Sequence, residues 1–266
     1  MNRFIPRILR KFRLIKFADK IRFYILFLKT SKSRRKFKRA NPDVLLPPPY
    51  FLYETFNLNY FSFYDKSVDT AKWLTGFFEK YKKLENINIL DWGCGPGRVI
   101  RYLPTFTGNS CNYYGTDYNK RYIKWCKENI KGGNFSANQL QPPLEYQTDF
   151  FDIIYGISIF THLSEEMHYA WFKELIRILK PGGIVLLTLQ GTAFIEKLTG
   201  NEKQQFKGGN LVVKGNTKEG HRTFSAFHPE LFVKILIGKN NILEHVTGKT
   251  IDGKPRQDVW VIQKTQ

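Results

Sequence analysis

Cysteine is scarce in this sequence. Only Cys94, Cys111 and Cys126 occur among 266 residues, and their spacing does not match that of a metal site. An odd and sparse set of thiols argues against a disulfide-stabilised domain and indicates a reducing compartment. His, Asp and Glu do not cluster as metal ligands either, so we expect a site without a metal.

Acidic residues are also few, and the imbalance is local. The chain holds 42 Lys and Arg against 23 Asp and Glu. Residues 1–40 contain 15 of the basic residues and one acid, Asp19, whereas the remainder holds 27 basic and 22 acidic residues. The basicity therefore belongs to the N-terminal segment, and it does not make the whole chain a nucleic-acid-binding protein.

Long hydrophobic runs are missing from that segment. Its longest uninterrupted apolar stretch, residues 23–28, is far shorter than the roughly 20 residues that a transmembrane helix needs. A small-residue cleavage site is missing too, so we expect no signal peptide and a cytoplasmic location.

The N-terminal segment has the pattern of one or two basic amphipathic helices, with six basic residues in 31–39. Three interpretations stay open: an anchor on anionic lipid at the inner membrane face, attraction to RNA or DNA, or a helix that packs on its own domain or on a partner. We favour lipid. The apolar residues at helical spacing are Ile5, Ile8, Phe12, Ile15, Phe17, Ile21, Tyr24, Ile25 and Leu28.

The pattern predicts two domains. A basic extension and a linker occupy residues 1–45, and an α/β domain occupies residues 46–266. The α/β domain begins with a segment rich in aromatic residues, 50–64, and a helix over 67–81. Strands are expected near 87–91, 112–117, 133–137, 151–158, 184–190, 242–246 and 257–263, and helices near 97–103, 119–131, 165–180, 192–198 and 229–237. The alternation indicates a parallel sheet, and the polar, glycine-punctuated stretch 201–222 is expected to form a flap or hairpin.

A glycine turn follows the first strand of this sheet. The pattern is Asp91-x-Gly93-x-Gly95-x-Gly97, and Arg98 stands where a dinucleotide fingerprint would have its third glycine. The next strand also ends in an acid, Asp117, where a carboxylate can accept hydrogen bonds from ribose hydroxyls. A helix directly after the glycines would direct free N–H groups at the ligand.

This turn, with Gly115-x-Asp117 after it, resembles that of the class I S-adenosylmethionine-dependent methyltransferases. Further blocks follow in family order over 138–144, 151–163 and 175–189. The resemblance implies a Rossmann-like doubly wound sheet, mostly parallel with an antiparallel last strand, to which this chain adds a basic N-terminal helical extension. It also implies S-adenosylmethionine as the cofactor.

The resemblance also implies roles for individual residues. Asp91 would lie near the cofactor's amino group, the turn would hold its methionine part, Asp117 would bind its ribose, and Asn138 and Gln139 would flank adenine. Small-residue packing alone would account for Cys94, and core packing for Ile157. The full set of implied cofactor contacts is Asp91, Gly93, Cys94, Gly95, Gly97, Asp117, Tyr118, Asn138, Gln139 and Ile157.

Methyl transfer from a sulfonium needs alignment and exclusion of water more than acid–base chemistry. A base is required only for a poor nucleophile such as a hydroxyl. His162, directly after the fourth strand, is the candidate, and a structural histidine that bonds a loop carbonyl is the alternative. His221 and His228 are further candidates.

Motifs that the sequence does not contain exclude some classes of methyl acceptor. The fourth strand exits through residues 156–160, without the Asn/Asp-Pro-Pro-aromatic block of base methyltransferases and without a nucleophilic Cys. The Leu-Pro-Pro-Pro block at 46–49 resembles the subgroup acting on small molecules or sugars. We therefore predict O-methylation of a small-molecule, glycan or lipid-linked sugar acceptor. An RNA or protein methyltransferase, or a non-catalytic scaffold, are the alternatives.

Overall fold

The computed structural model describes residues 15–108, 110–215, 218–221 and 223–265. The predicted stripe positions Ile5, Ile8 and Phe12, the side chains of Ile15 and Phe17, and Arg222 of the predicted flap lie outside this description. The chain divides into two compact units, residues 1–72 and 73–266, and the predicted boundary after residue 45 remains a prediction. Within the described part, the helices are all too short or too polar to cross a membrane.

The first unit is helical, which confirms the predicted N-terminal helices. Aromatic rings fill its core: Phe37 is fully buried, and Phe23 of the first helix packs edge-on against Tyr50 and Tyr53. Its only described acid before residue 43, Asp19, accepts a hydrogen bond of 2.6 Å from the Tyr53 hydroxyl. The helices are α1 (Ile15–Lys29), α2 (Ser31–Ala40), α3 (Pro49–Phe56) and the first part of α4 (Tyr60–Tyr81), which continues into the second unit.

The second unit contains a seven-stranded sheet in the order β3-β2-β1-β4-β5-β11-β8. Strands β1 to β5 are parallel, and β11 runs antiparallel to β5. This confirms the Rossmann-like, doubly wound fold with its antiparallel last strand. The sheet strands are β1 (Asn88–Trp92), β2 (Asn112–Asp117), β3 (Gly133–Ala137), β4 (Phe151–Ile157), β5 (Leu179–Leu189), β8 (Asn241–Val246) and β11 (Asp258–Gln263).

Helices cover the sheet with the faces that their sequence patterns predict. Met167, Trp171, Leu175 and Ile178 lie on one side of α7 and belong to the buried core. The remaining elements are α5 (Leu103–Thr107), α6 (Lys120–Asn129), α7 (Glu165–Ile178), α8 (Gly200–Lys207), α9 (Glu230–Ile237), the short strands β6 (Val212–Lys214), β7 (Ser225–Phe227), β9 (Thr250–Ile251) and β10 (Lys254–Pro255), and 3-10 turns at Ile100–Tyr102, Phe160–His162 and Thr192–Lys197.

The structure corrects the prediction in two places. The helix expected near 97–103 starts later, because positive φ angles at the glycines keep the chain in turns and Pro104 lies in the first turn of α5. A helix N-terminus therefore does not follow the glycines directly. The polar stretch from residue 201 begins as α8, held by a capping box between Thr199 and Glu202, and only then forms the β6–β7 hairpin.

Candidate functional site

The glycine turn is tied to the end of β2. The N–H groups of Gly93 and Cys94 donate to the Thr116 carbonyl at 2.8 and 2.9 Å. At Gly95, with φ of +54°, an added Cβ would meet no described protein atom within 4 Å. At Gly93 and Gly97 a Cβ would instead strike Ile159 and Ile130. The turn is therefore open beside Gly95, whereas neighbouring side chains leave no room for a Cβ at Gly93 or Gly97.

Asp117 lies at the tip of β2 and joins the two loops. Its Oδ2 accepts the Gly95 N–H at 2.9 Å, and its Oδ1 accepts the Asn119 N–H at 2.7 Å. A carboxylate has lone pairs beyond these two bonds, so it can also accept ribose hydroxyls. The side chain is thus oriented by backbone N–H groups before any ligand binds.

Asp91, at the tip of β1, is 4% exposed. Burial raises its pKa to about 7, although the neighbouring Tyr155 hydroxyl and the Arg98 guanidinium lower it; the Asp117 carboxylate raises it further. Desolvation disfavours the charged form of a buried carboxyl. A cationic group placed beside Asp91 would restore its ionisation.

A cleft opens at this edge of the sheet. It brings together Gly93, Asp117, Tyr118, Asn138 and Gln139 from the predicted cofactor set, with His162. Its other lining residues are Trp92, Leu140, Ile159, Leu163, Trp171 and Gly220.

Asn138 provides a test of what the cleft can hold. Its Oδ1 is buried and has no hydrogen-bond partner among the described residues, while its Nδ2 donates to the Gln139 carbonyl. A buried acceptor without a donor is costly. A ligand that carries an N–H donor, as adenine does, fits this position.

Five predicted contacts lie off the cleft wall as the structure describes it. Asp91 belongs to the end of β1 and Gly95 to the glycine turn, and neither lines the cleft. The Cys94 thiol is buried near Gly115, and burial raises its pKa, so it remains a thiol. Ile157 ends β4, and Ile159, two residues later, lies on the wall instead. The cofactor roles of these residues stay predictions, as does that of Gly97.

His162 lines the cleft from the 3-10 turn after β4. Its Nδ1 lies 2.8 Å from the Phe224 carbonyl oxygen. A carbonyl only accepts, so Nδ1 carries the proton. Burial lowers the pKa of His162, which keeps the ring neutral and makes Nε2 its basic nitrogen. The contact with a loop carbonyl and the role of a base are compatible in this geometry.

The two alternative histidines lie elsewhere. His228 is buried in the core, with its Nε2 at 2.8 Å from Nε2 of His168, and burial lowers its pKa well below the usual range. It is therefore unsuited to act as a base on a bound acceptor. His221 is exposed, and its Nδ1 contacts the Thr223 hydroxyl at 2.9 Å.

Gly220, from the polar stretch predicted to form a flap, lines the cleft. The Gly220 N–H donates to the His162 carbonyl at 2.9 Å, and its own carbonyl accepts the Tyr118 hydroxyl at 3.0 Å. Next to it, the Glu219 carboxylate accepts the Ser164 N–H. The flap is thus bonded to residues after β2 and after β4.

A polar network that the sequence did not predict adjoins the exit of β4. Ser158 adopts a left-handed φ of +62°, which is costly for a residue other than glycine and is found most often at functional sites. Its N–H donates to the Thr188 hydroxyl at 2.9 Å, and its own hydroxyl accepts the Gln257 amide at 2.7 Å. The three side chains come from β4, β5 and the start of β11, so local pattern gave no signal.

Sequence comparison finds a likeness to methyltransferases over part of this chain. A family profile described as a methyltransferase domain matches residues 89–183. The sequence is 36% identical to tRNA (carboxymethyluridine(34)-5-O)-methyltransferase of Arabidopsis thaliana over 103 residues, 38% of this chain and 23% of the relative. It is 31% identical to phosphoethanolamine N-methyltransferase of Plasmodium falciparum over 107 residues, 39% of each chain. The chain thus spans well under half of either relative.

Structural comparison agrees on the fold. Magnesium protoporphyrin IX methyltransferase of Synechocystis, crystallised with bound SAH, aligns with a TM-score of 0.53 at 14% identity. The alignment covers 89% of this chain and 96% of that one. Likeness at this identity shows the fold, and the named acceptors of the three proteins differ.

Proposed function

We propose that this chain, which carries a class I S-adenosylmethionine-dependent methyltransferase domain, transfers the cofactor's methyl group to a hydroxyl oxygen of a small-molecule, glycan or lipid-linked sugar acceptor. The observation that carries the proposal is the cleft itself. Gly93 of the glycine turn, Asp117 and a neutral imidazole, His162, all line it.

The residues present fit S-adenosylmethionine in their chemistry. Asp91 suits the cationic amino group, Gly95 leaves its backbone open, Asp117 can accept ribose hydroxyls, and Asn138 has a buried acceptor for a donor on the base. When bound, the cofactor supplies a methyl group already activated by the sulfonium charge. The chain's task is to align the acceptor and exclude water.

His162 supports oxygen as the methylated atom. A hydroxyl is a poor nucleophile and reacts faster when a base removes its proton. The Phe224 carbonyl fixes the proton on Nδ1 of His162, so Nε2 is available to take a proton from the acceptor.

A second candidate, an RNA acceptor, is favoured by one observation, the 36% identity to a tRNA methyltransferase. The nine basic residues and absent acids of residues 20–40 would suit phosphate binding. The two candidates differ in the acceptor and share the cofactor site.

Two measurements test the proposal. Calorimetry with S-adenosylhomocysteine should detect binding. If the protein does not bind the ligand at millimolar concentration, methyltransferase activity is excluded and a non-catalytic scaffold is the remaining interpretation. Labelled methyl transfer should then be screened against sugar nucleotides, lipid-linked sugars and tRNA. If only tRNA is methylated, the acceptor is RNA and the proposed sugar acceptor is wrong.

The base is tested with a matched pair of variants. Asn at position 162 can still donate to the Phe224 carbonyl but has no basic nitrogen, whereas Ala loses both. We expect His162→Asn to lower kcat by about 100-fold or more with S-adenosylhomocysteine affinity little changed. Full activity in His162→Asn would reduce His162 to a structural role.

A further inference from the structure

Helices α1 and α2 follow one another with only Thr30 at the joint between them, and we refer to residues 19–40 as the helical run. The Thr30 N–H donates to the Leu26 carbonyl at the end of α1, and the Arg34 N–H donates to the Thr30 carbonyl at the start of α2, both at 2.9 Å. Arg34 fixes the joint further: its guanidinium donates to the Phe27 carbonyl at 2.6 Å and lies 3.7 Å from the Phe27 ring centroid.

One side of this run builds the core of its unit. Phe37 is fully buried, and Phe23 and Phe27 pack against the same cluster. The lone acid, Asp19, also turns inward to the Tyr53 hydroxyl. The inner side is therefore already satisfied by the chain itself.

The opposite side exposes large apolar residues. At 100° per residue they span an arc of about 100°, centred opposite Phe23. Single exposed apolar side chains are ordinary, but a contiguous stripe on a folded helix marks an interaction surface. The exposed fractions are 45% for Ile21, 63% for Tyr24, 47% for Ile25 and 74% for Leu28.

Helix α2 exposes cations at the same spacing at which α1 exposes apolar residues. Positions 32, 35, 36 and 39 repeat the intervals of 21, 24, 25 and 28, so each set lies on one side of its helix. Residues 20–40 contain no acid. We call these eight positions the outer stripe: Ile21, Tyr24, Ile25 and Leu28, then Lys32, Arg35, Lys36 and Arg39.

We propose that the outer stripe binds the surface of an anionic lipid bilayer. The apolar half would enter the boundary between headgroups and acyl chains, and the cationic half would lie against lipid phosphates. A bilayer surface offers both environments side by side. This inference does not depend on the acceptor or on the proposed base.

Two other occupants match the stripe less well. RNA would neutralise Arg35 and Arg39 but would leave aliphatic side chains such as Leu28 in water. A second copy of the helical run would cover apolar side chains but would bring no acid to the cationic half, because residues 20–40 have none.

Vesicle flotation with the full chain tests the proposal. We expect recovery with vesicles containing about one third phosphatidylserine, and little with pure phosphatidylcholine. Ile25→Asn with Leu28→Asn, and separately Arg35→Gln with Arg39→Gln, should each lower the partition coefficient by about tenfold or more. The matched control, Lys124→Gln with Lys127→Gln, removes two exposed cations from α6 and should leave it within about twofold.

Several results would overturn the proposal. Equal recovery on both vesicles, or partition unchanged in both stripe variants, removes the lipid surface. Binding of tRNA that only the Arg variant weakens, without vesicle binding, assigns the stripe to nucleic acid. Concentration-dependent dimerisation that only the apolar variant abolishes, again without vesicle binding, assigns it to a second copy. Unchanged circular dichroism and S-adenosylhomocysteine affinity confirm that each variant is folded.

Discussion

The carboxyl edge of the sheet buries an ionisable group, whereas the outer stripe of α1 and α2 exposes large apolar side chains. At the sheet edge the protein buries a carboxyl, Asp91, and shifts its pKa to about 7. On the outer stripe it exposes Tyr24 and Leu28 by 63% and 74%. Each arrangement costs free energy in the isolated chain.

The comparison teaches that each cost identifies the chemistry of a partner. A buried carboxyl regains its charge beside a cation, which S-adenosylmethionine carries on its amino acid part. An exposed apolar and cationic stripe gains when a surface is both apolar and anionic. Variants that change either the buried carboxyl or the exposed stripe can therefore show whether each feature serves a ligand or only the structure.

The largest effect is expected for Asp91→Asn. Loss of the carboxylate should weaken S-adenosylhomocysteine binding by about 100-fold or more, because a charge-assisted contact is lost. The control is Asp152→Asn. It removes a carboxylate at the start of β4 that lies 2.7 Å from the Lys180 ammonium, and it should leave the affinity for S-adenosylhomocysteine unchanged. Calorimetry measures both; equal affinities would show that Asp91 does not meet the cofactor.

The same Asp91→Asn variant should be more stable. A carboxyl whose folded pKa lies above its unfolded value of about 3.9 destabilises the native state increasingly as pH rises from 4 to 7. Removing it should raise the free energy of unfolding by about 1–3 kcal/mol at pH 8 and change it little at pH 4. Urea denaturation at the two pH values measures this; lower stability at pH 8 would mean that Asp91 is a structural residue.

Asp91 and Asp117 were predictable because their signal is local: each directly follows a short apolar strand. The same holds for the parallel direction of β1 to β5, which the strand–helix alternation indicated. Trp171 was not predictable as a cleft residue, nor Gln257 as a partner of Ser158, since distant segments of the chain meet at these contacts. The prediction of a helix directly after the glycines was wrong because the positive φ angles of the glycines delay its start. These angles belong to the turn, and the helix propensity of the following residues does not reveal them.

The second prediction tests whether the stripe side of the helix really lies outside the core. Phe37→Ala should lower the free energy of unfolding by about 3 kcal/mol, because it empties a fully buried position. Leu28→Ala, at 74% exposure, should change it by less than about 0.5 kcal/mol. Chemical denaturation compares them. A similar loss in both variants would place Leu28 in a buried contact and break the contrast.

The third prediction concerns pH. The cationic cofactor should bind the ionised form of Asp91, whose pKa is about 7 in the free chain. Affinity should therefore be constant above pH 7 and fall by about tenfold per unit below it. Calorimetry in buffers of different ionisation enthalpy should detect proton release on binding at pH 6. In Asp91→Asn both effects should vanish; a pH-independent wild type would contradict the assignment.

The smallest effect on affinity separates two glycines of the turn. Gly95→Ala should weaken S-adenosylhomocysteine binding by about fivefold and cost about 1 kcal/mol of stability, because its Cβ would point into open space from a left-handed backbone. Gly97→Ala should cost about 2 kcal/mol or more, since its Cβ would strike Ile130, with affinity of the folded protein nearly unchanged. Calorimetry and denaturation together give both values. If Gly97→Ala loses affinity and Gly95→Ala does not, the face of the turn assigned here to the ligand is the wrong one.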